Sequence, residues 1–208
     1  MYTYLYLASQ SPRRQELLQQ MGLRYQLLIA DANEDVEALE TQIPNEPSLT
    51  YVRRVTLAKL SASIKRLQTR QLPWAPILCA DTTVSIQVDG TEEILGKPLN
   101  DEDAIRILKL LSGQTHQVHT AIALQKEINS APQVLISSSK VSFEVLSLDQ
   151  IHAYVASGEH LGKAGAYGIQ GLAACFIKHI EGSFSGIMGL PVFETAQIIQ
   201  DAVKYKLN

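Results

Sequence analysis

The sequence predicts an α/β fold: a mixed, twisted sheet with flanking helices. Three observations predict it. Strand-like and helix-like segments alternate from one end of the chain to the other. Several strand candidates are joined by turn signals, of which Asp89-Gly90 is the strongest, so hairpins stand beside the crossovers that helices make. The chain has 208 residues, 46% hydrophobic and 19% charged, enough for a sizeable core in one large domain or two small lobes.

Tyr4 to Ala8 is apolar and aromatic, a buried strand. Ser11 then reads as an N-cap, Pro12 as the first helical residue, Gln15 to Met21 as helix and Gly22 as its stop. Leu23 to Ile29 alternates like a second strand. The segment from Asp31 to Glu37 is dense in carboxylates, which suits either a solvated loop or a hard cation. Past Pro44 and Pro47, Ser48 opens a helix over Leu49 to about Gln68 whose charges are all basic. Ile77 to Ala80 is a buried strand ending at Asp81-Thr82-Thr83. Val84 to Val88 continues extended, and Glu92 to Leu95 returns after the turn. Asn100 caps a helix with three acids in its first turn, its core face carried by Ile105, Leu108 and Leu111. Thr115 to Leu124 and Val134 to Leu146 are strands. Ser147 and Gln150 form a capping box for a helix through Ala156. Glu159 to Gly171 carries four glycines at three-residue spacing. A strand over Leu172 to Ile180, a loop over Gly182 to Gly186 and a helix over Pro191 to Leu207 complete the chain.

The bulk numbers exclude some classes. A net charge of −3 gives no bulk attraction to nucleic acid or to an anionic membrane, so an anion must be held by a local cluster. Cys79 and Cys175 lie in apolar stretches and read as reduced core residues. No signal peptide is evident, and no apolar run approaches the ~20 residues that cross a bilayer. A soluble, cytoplasmic protein is expected.

Four features carry chemistry. Arg13 and Arg14 stand at a helix start, where the dipole normally recruits acids, and an anion would join them. The competing reading is solvation, or pairing with Glu16 and Glu34. Lys59 falls within the apolar stripe of the long helix, seven residues after Val52 and four after Val55, so it must snorkel or reach into a cleft. Asp81 follows a buried strand directly, at the sheet edge where α/β proteins place their sites. Lys97 is held between Gly96 and Pro98 on a stiff loop. Scattered cations with carboxylates suit a polyphosphate bound with a divalent metal. There is no Walker loop. His116 and His119 lie three apart on a strand, face opposite sides and make a poor metal pair.

LASQSPRRQELLQQMG at 7–22, ADTTV at 80–84, GKP at 96–98, SGQTHQVHT at 112–120, KAGAYGIQG at 163–171 and GLP at 189–191 resemble the Maf family, in order over nearly the whole chain. The resemblance implies a single domain of two lobes over residues 1–208 around a central cleft, a fold related to inosine triphosphate pyrophosphatase. It implies hydrolysis of a nucleoside triphosphate to the monophosphate and diphosphate, with Mg²⁺ or Mn²⁺ as cofactor. Asp81 matches the proton acceptor. Ser9, Arg13, Arg14, Lys59 and Lys97 match substrate-contacting positions. Glu34 matches an acidic residue near the metal, with Asp81 as the other ligand. Arg13, Thr82 and Gln170 resemble the specificity positions of the subgroup acting on dTTP and UTP. The implied partner is the triphosphate, with a homodimer left open and neither membrane nor nucleic acid expected. The alternative is a non-catalytic, nucleotide-binding regulator of septum formation. A nucleic-acid module on the basic helix is a third reading, disfavoured by the net acidity.

Overall fold

The computed structural model describes residues 1–205. Its strands are β1 (Leu5–Leu7), β2 (Tyr25–Leu27), β3 (Ile77–Val88), β4 (Thr91–Leu95), β5 (Thr115–Gln125), β6 (Gln133–Phe143) and β7 (Ile177–Glu181). Its helices are α1 (Pro12–Gln20), α2 (Ser48–Thr69), α3 (Asp101–Leu111), α4 (Leu148–Ala156), α5 (Phe184–Met188) and α6 (Val192–Ile199). Among the described residues the strands form one mixed sheet ordered β2-β1-β3-β5-β6-β7, with β4 paired to β3 alone. β1 runs parallel to β2 and β3, and the other pairings are antiparallel. The mixed α/β sheet with flanking helices is therefore as the sequence predicts.

β3 positions the cleft. Its first residues pair with β1 up to Leu7↔Leu78, and its last residues pair with β4 from Val84↔Leu95 onward. Between these, Asp81, Thr82 and Thr83 pair only with β5, through Ala121, Thr120 and His119. One edge of β3 is thus open over Cys79 to Thr83, because Cys79 and Ala80 also pair with β5 alone. Because side chains alternate along a strand, Asp81 faces α2 and Thr82 faces the opposite side.

The apolar interior divides around that opening. Leu5, Leu7, Leu18, Leu78, Ile122 and Ile199 pack α1 and α6 on one face of the β1 end. Tyr6, Leu28, Leu60, Ile77 and Cys79 pack α2 on the other. Ile107, Leu111, Val141, Phe143 and Tyr154 join α3 and α4 to the far half of β3. Ends follow the expected chemistry: Gly22 takes φ 72° after α1, Asn100 caps α3 by accepting from Asp103 N, and the Ser147–Gln150 capping box opens α4.

Four local expectations are corrected. Leu172–Phe176 is a 3-10 helix that buries only Ala173 and Phe176, and strand begins only at Ile177. α5 replaces the expected loop, with Ser183 capping it through Gly186 N. α6 ends at Ile199, well short of the expected stop, and Leu207 lies outside the described residues. Cys79 is buried, but Cys175 on the 3-10 turn is exposed. No helix among the described residues is long and apolar enough to cross a membrane.

Candidate active site

The open edge of β3 borders a cleft of about 530 Å³, lined among others by Ser9, Arg13, Arg14, Glu40, Lys59, Asp81, Thr82, Lys97 and Lys163. Chain segments distant in sequence therefore bring most of the predicted residues together.

α2 delivers Lys59 through its inward stripe. The Lys59 Nζ donates to Asp81 Oδ1 at 2.5 Å and to Glu40 Oε1 at 2.6 Å. Lys97 Nζ donates to the other oxygen of Glu40 at 2.8 Å. Cation and anion alternate, so each buried charge has a partner. Burial works against the Lys59 ammonium, yet Asp81 and Glu40 outweigh it and hold its pKa above the ordinary lysine value. Burial likewise works against the Glu40 carboxylate, and Lys59 and Lys97 outweigh it, leaving its pKa lowered. Glu40 ends a short 3-10 helix, Ala38–Glu40, and Tyr51 Oη of α2 holds its carbonyl at 2.8 Å.

The arginines at α1 behave differently. Ser11 occupies the N-cap position but makes no capping bond, and its own N–H donates to Ser9 Oγ at 3.2 Å. Arg14 donates through Nε to the Gly189 carbonyl at 2.8 Å, through Nη1 to Ser9 Oγ at 3.1 Å, and through Nη2 to Thr82 Oγ1 at 3.4 Å. Thr82 Oγ1 lies 2.9 Å from Thr120 Oγ1, which donates to the Gly186 carbonyl at 2.7 Å. Thr120 has thereby used its proton, so Thr82 donates to it and receives from Arg14. Burial lowers the pKa of Arg14, and Asp81 opposes that. Neither Arg13 nor Arg14 forms an ion pair with a carboxylate among the described residues. The pairing with Glu16 or Glu34 weighed from the sequence is absent there.

Two expected residues lie elsewhere. Glu34 is clasped by Arg66, with Nη2 at 2.6 Å and Nε at 2.8 Å, and does not line the cleft. The acid joined to Asp81 through Lys59 is Glu40, six residues further on. Gln170 is exposed and off the cleft wall, although its neighbours Gly168 and Ile169 line it. His116 and His119 are structural: His116 Nε2 bonds Tyr167 Oη and His119 Nδ1 bonds Ser138 Oγ, each at 2.8 Å.

Glu40 and Asp81 are the only carboxylates among the lining residues. No group of three or more Asp, Glu, His or Cys side chains converges as a metal cage among the described residues. Two carboxylates fit a magnesium-like cation whose remaining ligands come from phosphate oxygens and water.

The profile of the family described as Maf-like protein matches residues 4–202. The chain is similar to the dTTP/UTP pyrophosphatase of Albidiferax ferrireducens, 54% identical over 96% of this chain and 97% of that protein. It is 53% identical to the dTTP/UTP pyrophosphatase of Cupriavidus pinatubonensis, over 97% of this chain and 98% of the relative. A solved structure, the Staphylococcus aureus Ham1 protein, superposes with TM-score 0.40 and 11% identity over 68% of this chain and 72% of its own.

Proposed function

The chain belongs to the Maf-like family, and from that premise we propose that it hydrolyses dTTP and UTP to the monophosphate and diphosphate, as one cytoplasmic domain of two lobes. One observation carries the reading: the half-buried Lys59 ammonium joins Asp81 and Glu40 in a cleft that also receives Arg13 and Arg14, neither ion-paired to a carboxylate among the described residues.

In this reading Asp81 takes a proton from water as its oxygen bonds to the α-phosphorus. The bond from the α-phosphorus to the bridging oxygen breaks, and its electron pair leaves on the diphosphate. Lys59 and Lys97 transfer their donors from carboxylate to phosphoryl oxygens, which are likewise anionic acceptors. Ser9 and Thr82 hold Arg14 toward the phosphates. Glu40 and Asp81 are the residues that would hold the divalent cation, which supplies charge neutralisation when bound. Glu34 has no part in this, because Arg66 already satisfies it. Arg13, Thr82 and Gln170 are the proposed specificity positions, and Gln170 would need the Ile169–Gln170 turn to rotate inward.

The test is a panel of nucleoside triphosphates with Mg²⁺ or Mn²⁺, assayed for diphosphate and orthophosphate. Release of diphosphate from dTTP and UTP supports the reading, and Asp81→Asn lowers kcat by about 10²–10⁴-fold. Orthophosphate as first product, binding without turnover, or an active Asp81→Asn variant contradicts it.

A further inference from the structure

Lys163 is a cleft cation that the function above leaves unused. It is half-buried on the glycine-rich segment and lines the cleft. A Cβ built on Gly168 would stand 2.9 Å from Lys163 Cε and 4.0 Å from Arg13 Nη1, so the two side chains flank one point. Glycine at 168 leaves the room that the lysine stem occupies.

The Lys163 ammonium donates one proton to the Glu159 carbonyl, leaving two. The Glu159 carboxylate is turned away onto Leu172 N, at 2.7 Å and 3.1 Å. Neither Lys163 nor Arg13 has an ion-pair partner among the described residues. The cleft is also divided in character. Asp81, Lys59, Glu40 and Lys97 make one charged network, whereas Leu161, Ala164, Tyr167 and Ile169 give the wall beside Lys163 an apolar surface. An apolar wall with a few aimed polar groups is how a flat heterocycle is held. The phosphates belong at the charged network and the base at this wall.

We infer that Lys163, with Arg13, is a specificity-determining residue that reads the keto oxygens of uracil or thymine. This rests on the pyrophosphatase reading and names the part of the substrate that this wall takes. Ammonium and guanidinium groups only donate. Uracil and thymine present an acceptor at position 4, whereas cytosine presents an amino donor there. A donor-only pair accepts the first two and opposes the third.

The experiment compares kcat/KM for UTP, dTTP and CTP in the wild type, Lys163→Met and Lys163→Arg, together with inhibition by diphosphate. Lys163→Met is expected to reduce the UTP-over-CTP preference by about 10- to 100-fold, the range for losing a charged hydrogen bond. Lys163→Arg keeps the donors and is expected to keep the preference, and inhibition by diphosphate should not change. An unchanged UTP-over-CTP ratio in Lys163→Met overturns the inference. So does an equal loss on all three substrates with weakened diphosphate inhibition, which would make Lys163 a phosphate contact. Wild-type protein that releases diphosphate from no triphosphate overturns the hydrolase reading itself, and this one with it.

Discussion

Lys59 links the two cleft carboxylates through one ammonium, and the consequences of removing it are specific. In Lys59→Met, Asp81 and Glu40 lose the donor between them. A preorganised cation aimed at the reacting phosphate is also lost. The expected result is a fall in kcat/KM for UTP of about 10²–10³-fold, and near-normal kinetics would remove Lys59 from the machinery. Glu34 predicts differently, because its role is stability. The Arg66 fork holds its carboxyl down at about 2 from the ordinary 4.5. A depressed carboxyl stabilises the fold fully above its unfolded pKa, and that contribution is lost as pH falls from about 4.5 through about 2. Glu34→Gln should therefore cost about 1 kcal/mol at pH 7, discounted for its solvent-facing side. The gap to wild type should close when urea unfolding is repeated near pH 2.5; a gap that persists would sink the ion-pair account. Residue-scale legibility was uneven for a physical reason. Lys59 and Asp81 break local rules, being a cation in an apolar stripe and an acid after a buried strand, so the sequence exposes them. Glu40 breaks none. It is one of five acids between positions 31 and 40, and only the packing of its turn against Tyr51 selects it.

At the scale of elements, the placement of α2 depends on a cap borrowed from another strand. Pro47 supplies no side-chain cap. Instead Glu92 of β4 accepts from Ser48 N at 3.0 Å, from Ser48 Oγ at 2.5 Å and from Ser85 Oγ at 2.8 Å. A carboxylate at a helix N-terminus also complements the dipole. Glu92→Ala leaves these donors without their acceptor and should lower stability by about 1–3 kcal/mol, read from the urea midpoint. Glu92→Gln keeps an acceptor and should cost less; equal costs would mean the charge and the cap contribute nothing separately. Most elements were legible because their signals are local: Gly22, Asn100, Asp89-Gly90 and the Ser147–Gln150 box all act where the sequence puts them. The failures were tertiary. Leu172–Phe176 is apolar like a strand, yet it lies outside the hydrogen-bonded edge beside β6, so it coils into a 3-10 turn. The opening at Cys79–Thr83 is invisible in sequence, since it arises from where β1 stops and β4 starts along β3.

For the whole molecule, that opening means that the three apolar clusters meet around a space filled by charged and polar side chains. α2, α1 and the 164–166 turn each belong to a different cluster, and each contributes to the cleft wall. The turn is seated tightly: Gly165 has φ +69°, and a Cβ there would stand 2.9 Å from Val84 Cγ2. A ligand spanning the cleft contacts all three clusters at once, so its binding energy opposes unfolding of the chain as a unit. A non-hydrolysable α,β-imido analogue of UTP with Mg²⁺ at about 100 times its Kd should add about 2.7 kcal/mol of stability. For a chain of this size that is a rise in Tm of about 5–10 °C. Lys59→Met should lose much of the rise, because it removes a phosphate donor without touching the packing at Gly165. Gly165→Ala should lower the unliganded Tm, as a side chain forced into a left-handed position against Val84 must. It should still show a rise with the analogue, since Lys59, Lys97 and Arg14 are held by other elements. If the analogue shifts no Tm in the wild type at saturating concentration, the cleft is not where the nucleotide binds.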